Sequence, residues 1–249
     1  MKKNEILKWT VTTIIVIIGV FILIRLGFWQ LDRLEQRREF NAHYLEQISA
    51  PKVTLNDYPQ PEDLVKLEYR EVTVTGYYDF DHEIYLQNQA YNNQPGYRVV
   101  TPLLIEGKDS VVLVDRGWIS FSDLEDIHEI NDNFTKLQKI VGIIRNPKSD
   151  DKIVKTSKKS DSNPKFFLYV ELDLYQKQVE FDVLPIYIQL SGNQKLEKPI
   201  PQIEEIEISE GPHFGYALQW FFFASLLGFG YPFFVRKQLR EKKRETGNE

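Results

Sequence analysis

His43, His82, His128 and His213 are the only imidazoles in a 249-residue chain that contains no cysteine. Disulfide frameworks, Fe–S clusters, covalent c-type haem attachment and cysteine nucleophiles are thereby excluded. Metal or acid–base chemistry would have to run through these four rings and the carboxylates near them. His128-Glu129 opens like a zinc motif on a helix, but the position four residues after His128 is Asp132, so the ligand pair fails and a solvated helix face is the better reading. Asp79, Asp81, His82 and Glu83 gather four oxygen or nitrogen donors between two strand-like segments. That pattern suits a metal, and it equally suits a polar hairpin turn. His43, beside Tyr44, has no partner in its sequence neighbourhood and reads as a surface residue.

His213 differs because it opens a long apolar run, where a neutral imidazole can ligate a haem iron without burying a charge. The alternative is an interfacial polar residue that starts a helix after Pro212. Gln219 within the run, and Arg25 within an earlier one, are similarly double-edged; Arg25 can simply extend to lipid headgroups. No Gly-x-Ser-x-Gly elbow, phosphate-cradling Gly-Lys-Ser/Thr loop or Gly-x-Gly-x-x-Gly fingerprint accompanies these residues.

The elements that would position them are set by two apolar runs. Trp9 to Ile24 carries no charge, and with the continuation to Trp29 it gives about 20 residues, roughly 30 Å of helix, enough to span a bilayer. It is too long for a signal-peptide core and is followed by Gln30-Leu31-Asp32-Arg33-Leu34 rather than a small-x-small cleavage site, so it reads as an uncleaved anchor. Phe214 to Val235 is a second span with aromatic residues at both ends. Lys2, Lys3 and Lys8, with Arg236, Lys237, Arg240, Lys242, Lys243 and Arg244, assign both tails to the cytoplasm, against a smaller opposing signal from Arg33, Arg37 and Arg38. Residues 30–212 hold 32 of the 36 acidic residues and 21 of the 31 basic ones, which argues against a nucleic-acid partner.

The expected organisation is a cytoplasmic tail (1–9), a transmembrane helix (10–29), an amphipathic stem helix (30–50) ended by Pro51, an extracytoplasmic β-rich domain (51–212), a second transmembrane helix (213–235) and a basic cytoplasmic tail (236–249). Within the domain, about seven strands are predicted: around Val72 to Tyr78, Ile84 to Gln89, Tyr97 to Leu104, Val111 to Ile119, Gln138 to Arg145, Phe166 to Leu172 and Pro185 to Leu190. Short connections between them predict a mainly antiparallel sheet or barrel with a few short helices. Ser122 to Glu125 has the form of a capping box, and Asp173 to Gln176 that of a second helix start. The lysine- and serine-rich stretch from Asn146 to Lys165 reads as a loop with almost nothing to bury.

Taken in order, these pieces resemble the Surfeit locus protein one family of cytochrome c oxidase assembly factors. Leu26-Gly27-Phe28-Trp29-Gln30-Leu31-Asp32-Arg33 is similar to the family's Leu-Gly-x-Trp-Gln-x-x-Arg, and Gly96-Tyr97-Arg98-Val99-Val100-Thr101-Pro102-Leu103 to its Gly-Tyr-x-Val-x-Thr-Pro-Leu strand. Asp115-Arg116-Gly117-Trp118 follows its Arg-Gly-Trp strand and Gly142-Ile143-Ile144-Arg145 its Gly-x-x-Arg strand. His213-Phe214-Gly215-Tyr216-Ala217-Leu218-Gln219-Trp220 follows His-x-x-Tyr-Ala-x-Gln-Trp, although Gly211-Pro212 stands where the family commonly has an Asn before the His. The resemblance implies two spans enclosing one external domain, and a non-enzymatic helper in building the haem-bearing subunit of a terminal oxidase in a bacterial plasma membrane. It further implies haem a as cargo, with His213 as the iron ligand. Arg25 and Arg33 are expected near the propionates, and Trp29, Gln30, Tyr216, Gln219 and Trp220 around the site. Tyr97, Arg116, Trp118 and the lipid-level Phe222 are expected to meet a partner: an oxidase subunit or assembly intermediate, or haem a synthase. Arg116 also admits a buried ion-pair reading. Two alternatives stand: a cofactor-free membrane-anchored scaffold, and a membrane enzyme acting on lipid or cell wall.

Overall fold

The computed structural model describes residues 3–58, 61–147, 165–191, 198–202 and 206–245. They form two compact units, one from the chain's two end segments through His43 and from Glu207, the other from Tyr44 to Ile206.

The first unit is a helix pair. Helix α1 runs without interruption from Lys3 to Ser49. It stops before Pro51, whose ring disfavours helical geometry in the residue ahead of it. The second long helix, numbered α4 in chain order, runs from His213 to Glu245 with Pro232 inside it. Both are long and apolar enough to cross a membrane, and only 6 % of each apolar window is buried, which separates them from core helices of a soluble protein. Small residues let the helices approach: a Cβ on Gly27 would lie 2.6 Å from the ring of Phe221, which also packs edge-on against Phe28 at 5.4 Å. Further along, the Thr13 hydroxyl pairs with the Tyr231 hydroxyl at 2.8 Å.

At the other end of the pair, α1 holds the segment that leads into α4. Arg37 Nε and Nη2 donate to the carbonyls of Ser209 and Glu207 at 2.9 and 2.7 Å, and Asn41 Nδ2 donates to Ser209 at 3.2 Å. Arg38 forms a two-pronged pair with Glu210 at 2.9 and 3.0 Å. Arg37 and Arg38, contrary signals for orientation in the sequence, are thus engaged in holding the returning chain.

The second unit is a closed β-barrel with additions. Its strands are β1 (Val53–Thr54), β2 (Glu71–Tyr78), β3 (Ile84–Tyr91), β4 (Gln94–Ile105), β5 (Ser110–Ser120), β6 (Gln138–Arg145), β7 (Phe166–Phe167) and β8 (Asp182–Leu190). Strands β2, β6, β8, β5 and β4 neighbour one another in that order, and β4 returns to pair with the end of β2, which closes a ring of five. Pairing is antiparallel except where β8 lies parallel to β5, with Asp115 opposite Gln189. The short β1 and β7 are also parallel to their partners, so the expectation of consecutive antiparallel strands holds for the hairpins and not for the closure. The segment expected as a strand from Phe166 to Leu172 contributes only two strand residues before helix α3 (Leu172–Gln176) begins.

Alternation explains the barrel interior. Val72 and Val74 of β2, Val112 and Val114 of β5, Ile140 and Ile144 of β6 and Ile186 and Ile188 of β8 point inward as one core, closed at one side by Leu55 and Leu64. Strand β5 is buried at nine consecutive residues because its outer face is covered too, with Leu113 packing against Ile84, Leu86, Phe167 and Tyr175. Between β5 and β6 sits helix α2 (Ile127–Asp132), which carries no side-chain cap. The expected capping box is replaced by a tighter reciprocal pair in the turn ahead of it, Ser120 N donating to Asp123 Oδ2 and Asp123 N to Ser120 Oγ. Helix α3 likewise starts without a side-chain cap, at Glu171. The loop expected at 146–165 falls mostly outside the described residues.

Candidate functional site

Within the helix pair, His213 is the first residue of α4 and is half-buried. Its Nδ1 lies 2.9 Å from Oε1 of Gln30 on α1. With the Gln30 carbonyl oxygen accepting, Nδ1 is the donor and Nε2 is the nitrogen left for a ligand, the tautomer a metal-ligating imidazole requires. The turn before the helix keeps that nitrogen accessible. Gly211 adopts φ +67°, and a Cβ there would stand 3.4 and 3.5 Å from His213 Cδ2 and Nε2. A Cβ at 211 would thus make ordinary contact with the ring edge that Gln30 leaves free.

Around this pair the other expected residues separate by helix face. Arg25, Trp29 and Arg33 recur every four residues and form one exposed stripe, with the Arg33 guanidinium 5.8 Å from the Trp29 ring centre and donating to Gln36 at 3.0 Å. On α4, Ala217 is buried and Trp220 is half-buried with its ring edge-on to Phe223 at 6.4 Å. Tyr216, Gln219 and Phe222 are exposed. The structure thus brings His213 and Gln30 into contact, sets two cations and an indole on the adjoining face of α1, and leaves Tyr216, Gln219 and Phe222 open. An imidazole ligand type together with the exposed guanidinium groups and indole of α1 is the kind of donor set that suits a metalloporphyrin with anionic substituents.

In the barrel unit, Arg116 and Trp118 were expected at a partner surface and lie inside instead, at 1 % and 4 % exposure. Arg116 Nη1 donates to Asn131 Oδ1 at 2.6 Å and to Glu83 Oε2 at 3.1 Å, while its guanidinium stacks over Phe134, Tyr78 and Phe80 at 4.7, 5.2 and 5.4 Å. Glu83 also accepts from the Tyr85 hydroxyl at 2.9 Å and from Thr101 Oγ1 at 2.5 Å. A fully buried arginine needs such a partner set, since desolvating one ion alone costs several kcal/mol. Burial pushes the Tyr78 and Tyr85 hydroxyls well above the usual tyrosine range, so both remain donors throughout the physiological range. Tyr97 is half-buried in an aromatic cluster with Tyr85, Phe121 and Phe166.

The same network dissolves the four-donor metal candidate. Glu83 turns inward to Arg116, whereas His82 Nδ1 pairs with Asp79 Oδ2 at 2.7 Å and the Asp81 amide donates to Asp79 Oδ1 at 3.1 Å. Among the described residues no three His, Asp or Glu side chains converge as a metal cage. His128 is exposed on α2, and His43 is half-buried rather than on the surface. Glu83, Thr101 and Asn131 were not recognisable as partners of Arg116 from the sequence, because 15 or more residues separate each from it.

A small closed barrel encoded between two long apolar helices, with a histidine at the start of the second helix, defines the class: a β-barrel domain flanked in sequence by two candidate membrane-spanning helices. The chain belongs to the SURF1 family, whose model matches residues 17–225. It is similar to a "SURF1-like protein" of Rickettsia felis, 29 % identical over 216 residues that cover 84 % of this chain and 90 % of the relative. It is also similar to the yeast "Cytochrome oxidase assembly protein SHY1" of Saccharomyces cerevisiae, 27 % identical over 184 residues, 72 % of this chain and 46 % of that protein. A match to "Surfeit locus protein 1" of Arabidopsis thaliana is 30 % identical over 104 residues, covering 38 % of this chain and 29 % of the relative.

Proposed function

We propose that this protein is an assembly factor for a haem–copper oxidase, anchored in a bacterial membrane by α1 and α4, with the barrel domain on the extracytoplasmic side and haem a as its cargo. Family membership and the name of the yeast relative support the oxidase part of this reading. The single observation that supports the cargo is the His213–Gln30 contact, which fixes one imidazole nitrogen and frees the other.

The division of labour follows from the residues. His213 offers the axial nitrogen, and the indoles of Trp29 and Trp220 offer apolar surface to a macrocycle that water would not dissolve. Arg25 and Arg33 carry the charge that suits propionates. A carrier must release what it binds, and one axial ligand suits release better than a closed pocket does. No covalent step is required of the protein. Phe222, exposed on α4, is the lipid-level contact proposed for an oxidase subunit.

The test is the optical spectrum of the detergent-purified full chain from cells that make haem a. A haem spectrum that disappears in His213→Ala, with the variant still in the membrane fraction, supports the reading. An unchanged haem spectrum in His213→Ala overturns the ligand assignment, and a wild-type protein with no haem spectrum leaves a cofactor-free scaffold for oxidase assembly.

A further inference from the structure

The barrel unit contains a second chemically loaded place, far in sequence from His213 and not needed by the proposed function. Three of the stretches that carry the family resemblance meet there. Arg98 of β4, Asp115 of β5 and Arg145 of β6, with Tyr187 and Gln189 of β8, line a cavity of about 110 Å3. Strand register brings them together: the parallel pairing sets Asp115 opposite Gln189, and the antiparallel pairing of β6 with β8 sets Arg145 opposite Tyr187.

The side chains are held in place, yet their donors outnumber the acceptors. Asp115 is 2 % exposed; it takes Arg98 Nη2 at 2.6 Å and the Gly117 amide at 3.1 Å. Gln189 is fixed by donating to the Gln202 carbonyl at 2.6 Å, and its Oε1 accepts from Arg145 Nη1 at 3.4 Å. Glu68 approaches Arg145 Nε only to 3.8 Å, outside hydrogen-bond range. Nε of Arg98 and Nε of Arg145 are both buried without a hydrogen-bond partner. A planar guanidinium presents its donors in a rigid fork matched to carboxylate and phosphate oxygens. A single water needs roughly 10–15 Å3 of such space, so the cavity has room for a polyatomic group.

We infer that this cavity binds the oxyanionic group of a small acid, a carboxylate or a phosphate, between Arg98 and Arg145. Tyr187 adds a hydroxyl that stays protonated, since burial pushes it up to about 12. The buried Val170 at the cavity wall offers the body of the acid an apolar contact. The anion supplies acceptors for the two Nε donors that Asp115, Gln189 and the Gln202 carbonyl do not reach. The site lies wholly within the barrel unit, so it stands or falls independently of haem binding.

Thermal unfolding of the full chain in detergent tests it, with acetate or inorganic phosphate titrated against chloride at matched ionic strength and pH. The expected result is a saturable rise in the unfolding midpoint with at least one of the two oxyanions, retained in the surface control Lys177→Gln. Arg145→Gln is expected to weaken half-saturation by about tenfold or more. Val170→Phe, which leaves both arginines and fills the cavity, is expected to remove the rise and guards against misfolding of the arginine variant. A response to acetate alone assigns a carboxylic acid, and one to phosphate alone a phosphorylated ligand. No saturable response to either anion, or one that survives unchanged in both variants, overturns the proposal.

Discussion

The 2.9 Å contact between His213 Nδ1 and Gln30 Oε1 joins two residues 183 positions apart and couples the start of α4 to the middle of α1. Its effect is orientational, because the amide oxygen selects one tautomer and holds the ring against rotation. Gln30→Ala is therefore expected to keep the histidine and the helix pair while weakening retention of haem by about 10- to 100-fold, the usual cost of losing a partner behind a metal ligand. Titrating haem into the purified variant measures this. Retention equal to wild type would mean that the contact only packs the helices.

Glu83 and Arg116 form the deepest ion pair of the barrel unit, each 1 % exposed. Removing one partner strands the other, and Arg116→Ala is expected to cost about 3–5 kcal/mol in a denaturant titration. The double variant Glu83→Leu/Arg116→Met removes both charges and is expected to lose less than the sum of Glu83→Leu and Arg116→Met measured singly. Additive losses would show that the pair is not energetically coupled.

Much of the scaffold can be read directly from the chain, for identifiable reasons. The uncharged run from Trp9 to Ile24 and the alternation of Val72 and Val74 each encode a burial pattern locally. Closure of the barrel through the parallel β5–β8 pair is not local: a period of two is the same whichever direction the neighbour runs. The inward turn of Glu83 was hidden for a related reason, since a carboxylate flanked by Asp79, Asp81 and His82 looks solvated until its partner 33 residues away is placed. The candidate site was half legible. His213 stands out by type and position, whereas its choice of Gln30 over the exposed Tyr216 or Gln219 depends on how the helices pack.

Gly117 shows how one motif glycine earns its place. Its φ is +122°, and a Cβ there would fall 2.1 Å from the Ile200 carbonyl oxygen. The close approach exists because Trp118 N donates to Ile200 O and Ile200 N to Trp118 O, both at 2.8 Å. Gly117→Ala is expected to lose about 2 kcal/mol or more, combining backbone strain with the collision. Gly107 provides the comparison, with φ +80° and nothing within 4 Å of a Cβ, so Gly107→Ala is expected to cost only the left-handed penalty of about 1–2 kcal/mol. Equal losses would remove the steric account.

The proposed orientation in the membrane rests on the tail cations, and the absence of cysteine makes it simple to test. Lys177→Cys in the barrel unit and Lys237→Cys near the end of α4 place one thiol each at exposed positions. An impermeant reagent applied to intact spheroplasts is expected to label the first and spare the second. The reverse pattern would invert the topology and place His213 on the cytoplasmic side.

The last relationship concerns acid. Arg38 donates twice to Glu210, and these hydrogen bonds, reinforced by the charge of the guanidinium, hold the Glu210 carboxyl below its ordinary value of 4.5. A carboxyl depressed in the folded state favours folding at pH above that ordinary value, and the contribution fades as pH falls through the depressed one. Both side chains are about half exposed, so salt screens the pair and its effect on global stability is small. The local effect is larger, because Glu210 lies next to the Ser209 carbonyl held by Arg37 and Asn41, three residues before His213. Following the Glu210 carboxyl by carbon NMR, the titration midpoint is expected to rise toward 4.5 in Arg38→Gln. High salt is expected to move the wild-type midpoint in the same direction. A midpoint that is the same in wild type and variant would show that the clamp does not form in solution, and the returning segment would then depend on Arg37 and Asn41 alone.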